Sequence, residues 1–281
     1  MKPSQDMSTD TTDSRIRNQD VGQFFSSMSP WALFAFIVIL CILVMWGGAW
    51  IGHLRFLRGI TEPEGPISTA VGSILGLLAF LLGFTFSLTW SRYSSRNSMV
   101  ILQAQAIETC YLRTSFLPQK QKEEIRARLR DYINLLLELQ PPRGIEETIS
   151  KLEALHIAIW QQTASLAKED IDSELRSLYI SSFNEIMSLS LERKTVGMFF
   201  RIPDPIWSSL LFLAAMSMFS FGYQTGNSGV RRIFGMPFLP IAFGLVIVLI
   251  ADLNSTGVQR RFKVSQKPLK EVLEMMNKEI P

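Results

Sequence analysis

Four long stretches of the sequence lack any charged residue or histidine. They are Trp31–Ile51, Ile67–Trp90, Pro205–Tyr223 and Ile233–Ile250. Transporters that are coupled to protons or ions bury an ionisable side chain near the middle of the membrane. The nearest acid here is Asp252, just beyond the last stretch. This absence argues against a coupled transporter.

Histidine and cysteine are scarce, which limits the possible chemistry. His53 and His156 are not predicted to form a metal site with nearby Cys, Asp or Glu residues. Cys41 lies within an apolar stretch and Cys110 on a predicted cytoplasmic helix, so no structural disulfide is predicted. The sequence contains no glycine-rich phosphate-binding loop, nucleophile elbow or zinc signature. It therefore predicts no enzyme, no metal and no cofactor.

A large excess of either charge is also missing. The net charge is +3, and no basic stripe is interleaved with aromatic residues. Proteins that bind nucleic acids carry clustered positive charge. No nucleic-acid partner is predicted.

The sequence does contain enough apolar length for four membrane spans. A helix rises about 1.5 Å per residue and the hydrocarbon core of a bilayer is about 30 Å thick, so each stretch can cross it once. The first stretch is too long for the apolar region of a cleaved signal, and it is predicted to be an uncleaved anchor. The predicted fold is all-α, with four transmembrane helices and a helical cytoplasmic domain inserted between the second and third spans. The predicted regions are a disordered cytoplasmic tail at 1–29, spans one and two at 30–90, the cytoplasmic domain at 91–204, spans three and four at 205–252, and a cytoplasmic C-terminal tail at 253–281.

The basic residues near the span ends predict the orientation in the bilayer. Positive residues are enriched on the cytoplasmic side of membrane proteins, within about 20 residues of the spans. One side carries twelve such residues and the other side carries four, so both termini are predicted to be cytoplasmic. The twelve are Arg15, Arg17, Arg92, Arg96, Arg193, Lys194, Arg201, Arg260, Arg261, Lys263, Lys267 and Lys270; the four are Arg55, Arg58, Arg231 and Arg232.

Apolar residues at helical spacing continue beyond the second span. They predict one long helix that leaves the membrane and ends near Leu117–Pro118. Three further cytoplasmic helices are predicted before the third span, the last of them with Asp170 as its N-cap. The C-terminal tail is predicted to contain one more amphipathic helix, which begins after Lys267–Pro268.

The second span has two unlike faces. At about 100° per residue, its small residues fall in one narrow stripe, with two phenylalanines beside it and larger residues on the other side. Small residues let another backbone approach closely, so the stripe predicts a helix packed inside an assembly. The residues alone favour core packing over pore lining for the phenylalanines. The stripe is Gly72, Gly76, Ala79 and Gly83; the phenylalanines are Phe80 and Phe84; the opposite side carries Leu78, Leu81, Leu82 and Thr85.

Several motifs resemble a known family of membrane proteins. The run Ala79–Phe84, with Ser91-Arg92-Tyr93 after it, resembles the neck helix of the bestrophin channels. The run Gly76–Phe84 with Tyr111-Leu112-Arg113, Leu117-Pro118, Ile202-Pro203 and Val264–Leu269 resembles a bestrophin-like bacterial family that is catalogued as a domain of unknown function. The resemblance covers most of the chain from about residue 60 onward.

The resemblance implies a homo-oligomeric ion channel, pentameric in bestrophins, in the inner membrane of a bacterium. It places Gly76, Phe80 and Phe84 at a hydrophobic neck, where the glycine would widen the ring that a bulkier residue forms in bestrophins. Calcium-activated bestrophins carry an acidic cluster after the fourth span. This chain reads Ala251-Asp252-Leu253-Asn254-Ser255-Thr256 there and then turns basic, so no calcium site is predicted.

The predicted partners are the lipid bilayer, further copies of this chain, and ions. Arg92, Arg96 and Arg113 are candidates for a cytoplasmic vestibule and favour an anion such as chloride, whereas Glu108 on the same helix opposes it. An anchoring role at the inner membrane surface is the alternative for these arginines. The alternative for the whole protein is a non-conducting membrane scaffold whose cytoplasmic helices bind another protein.

Overall fold

The structure, a computed structural model, describes residues 28–59, 64–139, 145–199, 202–228, 237–255 and 264–278. Within these ranges every regular element is a helix and there is no strand, so the all-α prediction is confirmed. The predicted disordered tail lies outside the described residues apart from Met28 and Ser29. The helices are α1 (Pro30–Leu57), α2 (Glu64–Arg113), α3 (Gln119–Glu138), α4 (Ile145–Ser165), α5 (Ser173–Phe199), α6 (Asp204–Asn227), α7 (Phe238–Asn254) and α8 (Lys267–Asn277).

Three of these helices are long and apolar enough to cross a membrane. They are α1, α2 and α6. The fourth apolar helix, α7, has 17 residues, and residues 233–236 of the predicted fourth span lie outside the described part of the chain. Helix α2 continues without a break for 50 residues, as the apolar spacing predicts. It ends four residues earlier than predicted, because a short 3₁₀ turn at Thr114–Phe116 precedes Leu117 and Pro118.

The described residues divide into two compact units. The first contains α1, α2 up to Phe86, α6 and α7 up to Ala251, and the second contains the remaining helices with the rest of α2. The first has an apolar core of Leu33, Ile37, Cys41, Met45, Leu78, Ile202, Trp207, Leu210, Ala214, Met218, Phe243, Ile247, Ile250 and Ala251.

Backbone contact between α1 and α6 holds the first unit together. A Cβ added at Gly48 would lie 2.1 Å from the carbonyl oxygen of Phe219, and one added at Gly52 would lie 2.4 Å from that of Tyr223. The contact is reciprocal, because added Cβ atoms at Gly222 and Gly226 would lie 2.0 Å and 2.1 Å from carbonyl oxygens of α1. Each helix therefore presents a pair of glycines four residues apart, the spacing that brings transmembrane helices into close contact.

The second unit is a helical bundle with its own core. Tyr111, Tyr132, Tyr179 and Phe183 are among its fully buried side chains. Helix α8 packs on this unit through an apolar face, because Leu269, Val272 and Met276 recur at intervals of three and four residues and are buried.

The start of α5 differs from the prediction. Helix α5 begins at Ser173, and the carboxylate of Asp172 accepts a hydrogen bond of 2.7 Å from the backbone N–H of Glu174. Asp170 as N-cap is therefore wrong by two residues. The reason is a tight turn in which the N–H of Ile171 donates to the carbonyl of Glu169 at 3.0 Å, so the helix starts only after it.

Candidate functional site

The membrane part of α2 has one face buried within the chain and one face left open. Val71, Leu78 and Thr85 recur every seven residues and are buried. On the other side, Phe80 is 71% exposed and Phe84 is 53% exposed. At about 100° per residue, seven residues make almost two full turns, so the three buried residues lie on one side of the helix. Phe80 and Phe84 lie on the opposite side. The structure therefore agrees with the two-faced helix that the sequence predicts.

The glycines of the open face have no close neighbour. Among the described residues, a Cβ added at Gly72, Gly76 or Gly83 would meet nothing within 4 Å apart from the helix itself. Ala79 is exposed as well. Among the described residues, then, the small-residue stripe packs against no other backbone, in contrast to the glycines of α1 and α6. Its packing role stays a prediction for an assembly of several chains.

The glycine pairs of α1 and α6 are the packing residues that the sequence reasoning missed. The sequence contains a signal for them, because three residues separate Gly48 from Gly52 and likewise Gly222 from Gly226. The glycine stripe of the second span is longer and is the more conspicuous pattern. Two short Gly-x-x-x-Gly motifs in two different apolar helices indicate a pair of helices that pack on each other.

Beyond the membrane part, α2 carries the two arginines Arg92 and Arg96. The Arg96 guanidinium is half-buried, and its Nη2 donates to the backbone carbonyl of Leu253 near the C-terminal end of α7. A positive side chain at this position satisfies a free carbonyl and interacts well with the negative end of the helix dipole. The Nη1 atom of Arg92 is buried and has no hydrogen-bond partner among the described residues.

The third candidate arginine ends the helix. Arg113 is the last residue of α2, and its Nη1 donates to the carbonyl of Leu178 on α5 at 2.7 Å. Arg96 and Arg113 thus each contact a backbone carbonyl of a neighbouring helix. A carbonyl does not neutralise the guanidinium, so each side chain brings a full positive charge to the second unit.

A buried polar chain crosses the second unit. Arg193 donates to the side-chain carbonyl of Gln103 at 2.5 Å, and the amide of Gln103 donates to the hydroxyl of Tyr132 at 2.9 Å. Burial lowers the pKa of Arg193 and raises the pKa of Tyr132. In this contact the half-buried guanidinium of Arg193 meets a neutral amide rather than a carboxylate.

His156 lies in an aromatic pocket next to this chain. Its ring centroid is 5.0 Å from that of Tyr132 and 6.4 Å from that of Phe183. Its Nε2 atom is buried without a hydrogen-bond partner in the described part of the protein. Burial lowers the pKa of His156, while the nearby Glu153 opposes that shift. The side chain therefore favours the neutral imidazole.

Potential metal ligands do not cluster in the described ranges. No group of three or more His, Cys, Asp or Glu side chains there is close enough to hold a metal ion. Both cysteines are buried and free.

Comparisons with known proteins identify the same family that the sequence motifs resemble. The family model for a Bestrophin-like domain matches residues 33–268. Among curated proteins no match is found.

Solved structures with a similar fold include a membrane protein and bestrophin homologues. The crystal structure of a membrane protein variant is 15% identical, with a TM-score of 0.65, and the match covers 87% of this chain and 96% of the other. Two variants of a bacterial bestrophin homologue from Klebsiella pneumoniae have TM-scores of 0.62 and 0.58, with 14% and 15% identity. Both matches cover 87% of this chain, and they cover 96% and 98% of the homologue. At this identity the likeness establishes the fold, while the family model establishes the membership. The chain is a membrane protein and belongs to the bestrophin-like family.

Proposed function

We propose that this protein is a homo-oligomeric ion channel whose pore is lined by the open face of α2. The observation that carries the proposal is the contrast between the two faces of this helix. Leu78 and Thr85 are buried within the chain, whereas Gly76, Phe80 and Phe84 are exposed. Several copies arranged around an axis would place that second face at the centre.

Phe80 and Phe84 would form the constriction. They are one helical turn apart, so each would contribute one ring of phenyl groups in an oligomer. Such hydrophobic constrictions gate by losing water, and they need no charged residue. This is consistent with the absence of charge in the span. Gly76 lies one turn from Phe80 and would leave the pore wider there.

The topology supports a four-span arrangement with both termini in the cytoplasm. Helices α1, α2 and α6 each have the length of a span, and α7 would cross as a shorter fourth one. The excess of basic residues near the ends of α2, α5 and α8 favours the cytoplasmic side for the inserted domain. A bacterial inner membrane is the proposed location.

An anion, with chloride as the first candidate, fits the charges of the second unit best. Arg92 has a buried Nη1 without a hydrogen-bond partner among the described residues, and Arg96 and Arg113 each donate to a neutral backbone carbonyl. These charges would raise the local concentration of anions on the way to the neck. The bestrophin channels, to which the chain's motifs are similar, conduct anions.

The test is reconstitution of the purified protein in planar bilayers. Wild type is expected to conduct, and the Phe80→Ala/Phe84→Ala variant to conduct more with weaker gating. Phe212→Ala is the matched control, because Phe212 is an exposed phenylalanine of another span, α6. Silence of both wild type and the double variant under all voltages and salts would refute the channel.

One observation favours a second function, a non-conducting scaffold. Ile157 and Leu191 are exposed apolar side chains of the cytoplasmic helices α4 and α5. They would be a docking surface for another protein if the chain is monomeric. A monomer in mild detergent that is silent in bilayers would support the scaffold.

A further inference from the structure

Two arginines lie on the buried side of α2, just after its apolar stretch ends. Thr89 and Gln103 are fully buried, and Arg96 lies seven residues from each of them. At about 100° per residue, seven residues make almost two full turns, so Arg96 shares their side of the helix. Arg92 lies one turn before Arg96, and Arg96 is almost opposite Phe80. Both arginines therefore lie away from the open face of α2.

Neither guanidinium forms an ion pair with a described residue. Nη1 of Arg92 and Nε of Arg96 are buried and have no hydrogen-bond partner there. Arg96 donates from Nη2 to the carbonyl of Leu253, and neither arginine makes another hydrogen bond or ion pair within the described ranges. Asp252, which precedes Leu253, is buried and holds a different interaction. Like charges one turn apart repel each other, and a partly buried charge without a partner is costly, so the pair favours an anionic ligand.

The position of the pair along α2 brings it to the membrane surface. Trp90 ends the apolar stretch; it is exposed, and its ring centroid lies 5.8 Å from that of Tyr93. Tryptophan and tyrosine are enriched at the depth of the lipid headgroups. At about 1.5 Å per residue, Arg92 and Arg96 lie about 3 Å and about 9 Å beyond Trp90 along the helix. Phosphate groups are present at this depth, in lipid headgroups and as soluble phosphate.

We propose that Arg92 and Arg96 together bind one phosphate group, with Arg92 as the main ligand. A guanidinium matches the oxygen atoms of a phosphate in charge and in its paired donors. Both side chains are partly exposed, so an anion can reach them. Arg96 already shares a donor with the carbonyl of Leu253, which leaves more donors on Arg92 for the ligand. The bound phosphate relieves the repulsion between the two charges and stabilises α2 where it leaves the membrane.

Two probes test the site on the full-length protein in detergent. Sodium phosphate is titrated by calorimetry, and phosphatidylglycerol is titrated in native mass spectrometry against diacylglycerol with the same acyl chains. Wild type is expected to bind one phosphate group per chain and to retain phosphatidylglycerol over diacylglycerol. Tighter binding of phosphatidylglycerol would identify a lipid as the source of the phosphate, and tighter binding of inorganic phosphate would identify a soluble ion.

Substitutions at Arg92 separate the site from general attraction to charge. Arg92→Gln should weaken binding of the preferred probe about tenfold, the effect of losing the hydrogen bonds of one charged group. Arg92→Lys keeps the charge but loses the paired donors, and should weaken binding only about threefold. Arg128→Gln is the matched control, because it removes an arginine of the same unit that pairs with Glu124. Phosphate should also raise the thermal midpoint of wild type and of Arg128→Gln, but not that of Arg92→Gln.

Three results would overturn the proposal. They are a wild type that binds neither probe, binding that is unchanged in both Arg92 variants, and an equal loss in Arg92→Gln and Arg128→Gln. If Arg92→Gln does not fold, the comparison of Arg92→Lys with Arg128→Lys carries the same test. The site does not depend on conduction, so phosphate binding by a protein that is silent in bilayers would support the site and refute the channel.

Discussion

Gly48 lies directly against the backbone of Phe219, with room for only a hydrogen atom between them. A Cβ at Gly48 would lie 2.1 Å from the Phe219 carbonyl oxygen and 3.0 Å from the N of Tyr223. Contacts this close allow Cα–H groups to approach carbonyl oxygens along the helix pair. Helices α1 and α6 are therefore held in close backbone contact, and we call this pair the frame of the first unit.

The first prediction concerns this frame. Gly48→Ala should destabilise the protein by about 2 kcal/mol or more, because overfilling a packed contact typically costs about 1–3 kcal/mol. Gly47→Ala is the matched control. Gly47 is the preceding residue of the same helix, and a Cβ there would meet no described residue within 4 Å. Thermal unfolding in detergent should show a lower midpoint for Gly48→Ala only. Equal midpoints for the two variants would contradict the close contact.

The second prediction separates folding from conduction at Gly76. A Cβ at Gly76 would also meet nothing within 4 Å in the part of the chain that the structure describes, so Gly76→Ile should leave the thermal midpoint close to that of wild type. In the proposed oligomer it would add a third apolar ring to the neck and lower the single-channel conductance. Unchanged conductance in a correctly assembled Gly76→Ile protein would place this face away from the pore.

The third prediction concerns pH and His156. Burial lowers the pKa of His156 in the folded protein below its usual value of 6.5, which applies to the unfolded chain. Between the folded-state and the unfolded-state pKa, the unfolded chain therefore binds the proton more readily than the folded one. The contribution of neutral His156 to the free energy of unfolding should therefore be fully present above about pH 6.5. It should fall as the pH drops from there toward the lower pKa of the folded protein. His156→Phe keeps an aromatic ring between Tyr132 and Phe183 and should flatten the pH dependence. His53→Gln changes the other histidine, which is exposed, and serves as the control. A wild-type acid sensitivity that persists in His156→Phe would contradict this account.

The fourth prediction concerns the docking of α8. Arg130 donates to the Met276 carbonyl at 3.0 Å and to the Tyr111 hydroxyl at 2.9 Å, and that hydroxyl lies 3.2 Å from the same carbonyl. Losing hydrogen bonds to a charged group costs about 1.5–3 kcal/mol each. Arg130→Ala should speed hydrogen exchange in residues 267–277. Arg128→Ala, which removes a half-exposed pair with Glu124 on the same helix, should leave that exchange unchanged. Equal exchange in all three proteins would show that the apolar face alone holds α8.

The sequence predicts the helices well because their signals are local. Apolar length identifies the spans, and apolar residues at helical spacing extend α2 to Arg113 and identify α8. The start of α5 was misplaced because Asp170 and Asp172 are equally good caps in sequence, and only the turn at Glu169–Ile171 decides between them.

The site was harder to predict than the fold. Angular position on a helix separates Phe80 from Leu78, but it does not say which of the two faces the chain itself covers. That depends on contacts between spans far apart in sequence, such as Gly48 with Phe219. The same limit applies to Arg96 and Arg113, whose carbonyl partners Leu253 and Leu178 no local pattern indicates.

The most direct test of the pore is the ion selectivity of variants with a charge at Phe80. Reversal potentials are measured in bilayers under a potassium chloride gradient for wild type, Phe80→Lys and Phe80→Glu, with Phe212→Lys on α6 as the control. If α2 lines the pore, the lysine at position 80 should shift the reversal potential toward that of chloride and the glutamate should shift it toward that of potassium, while the control matches wild type. Identical reversal potentials in all four conducting proteins would contradict a pore lined by Phe80.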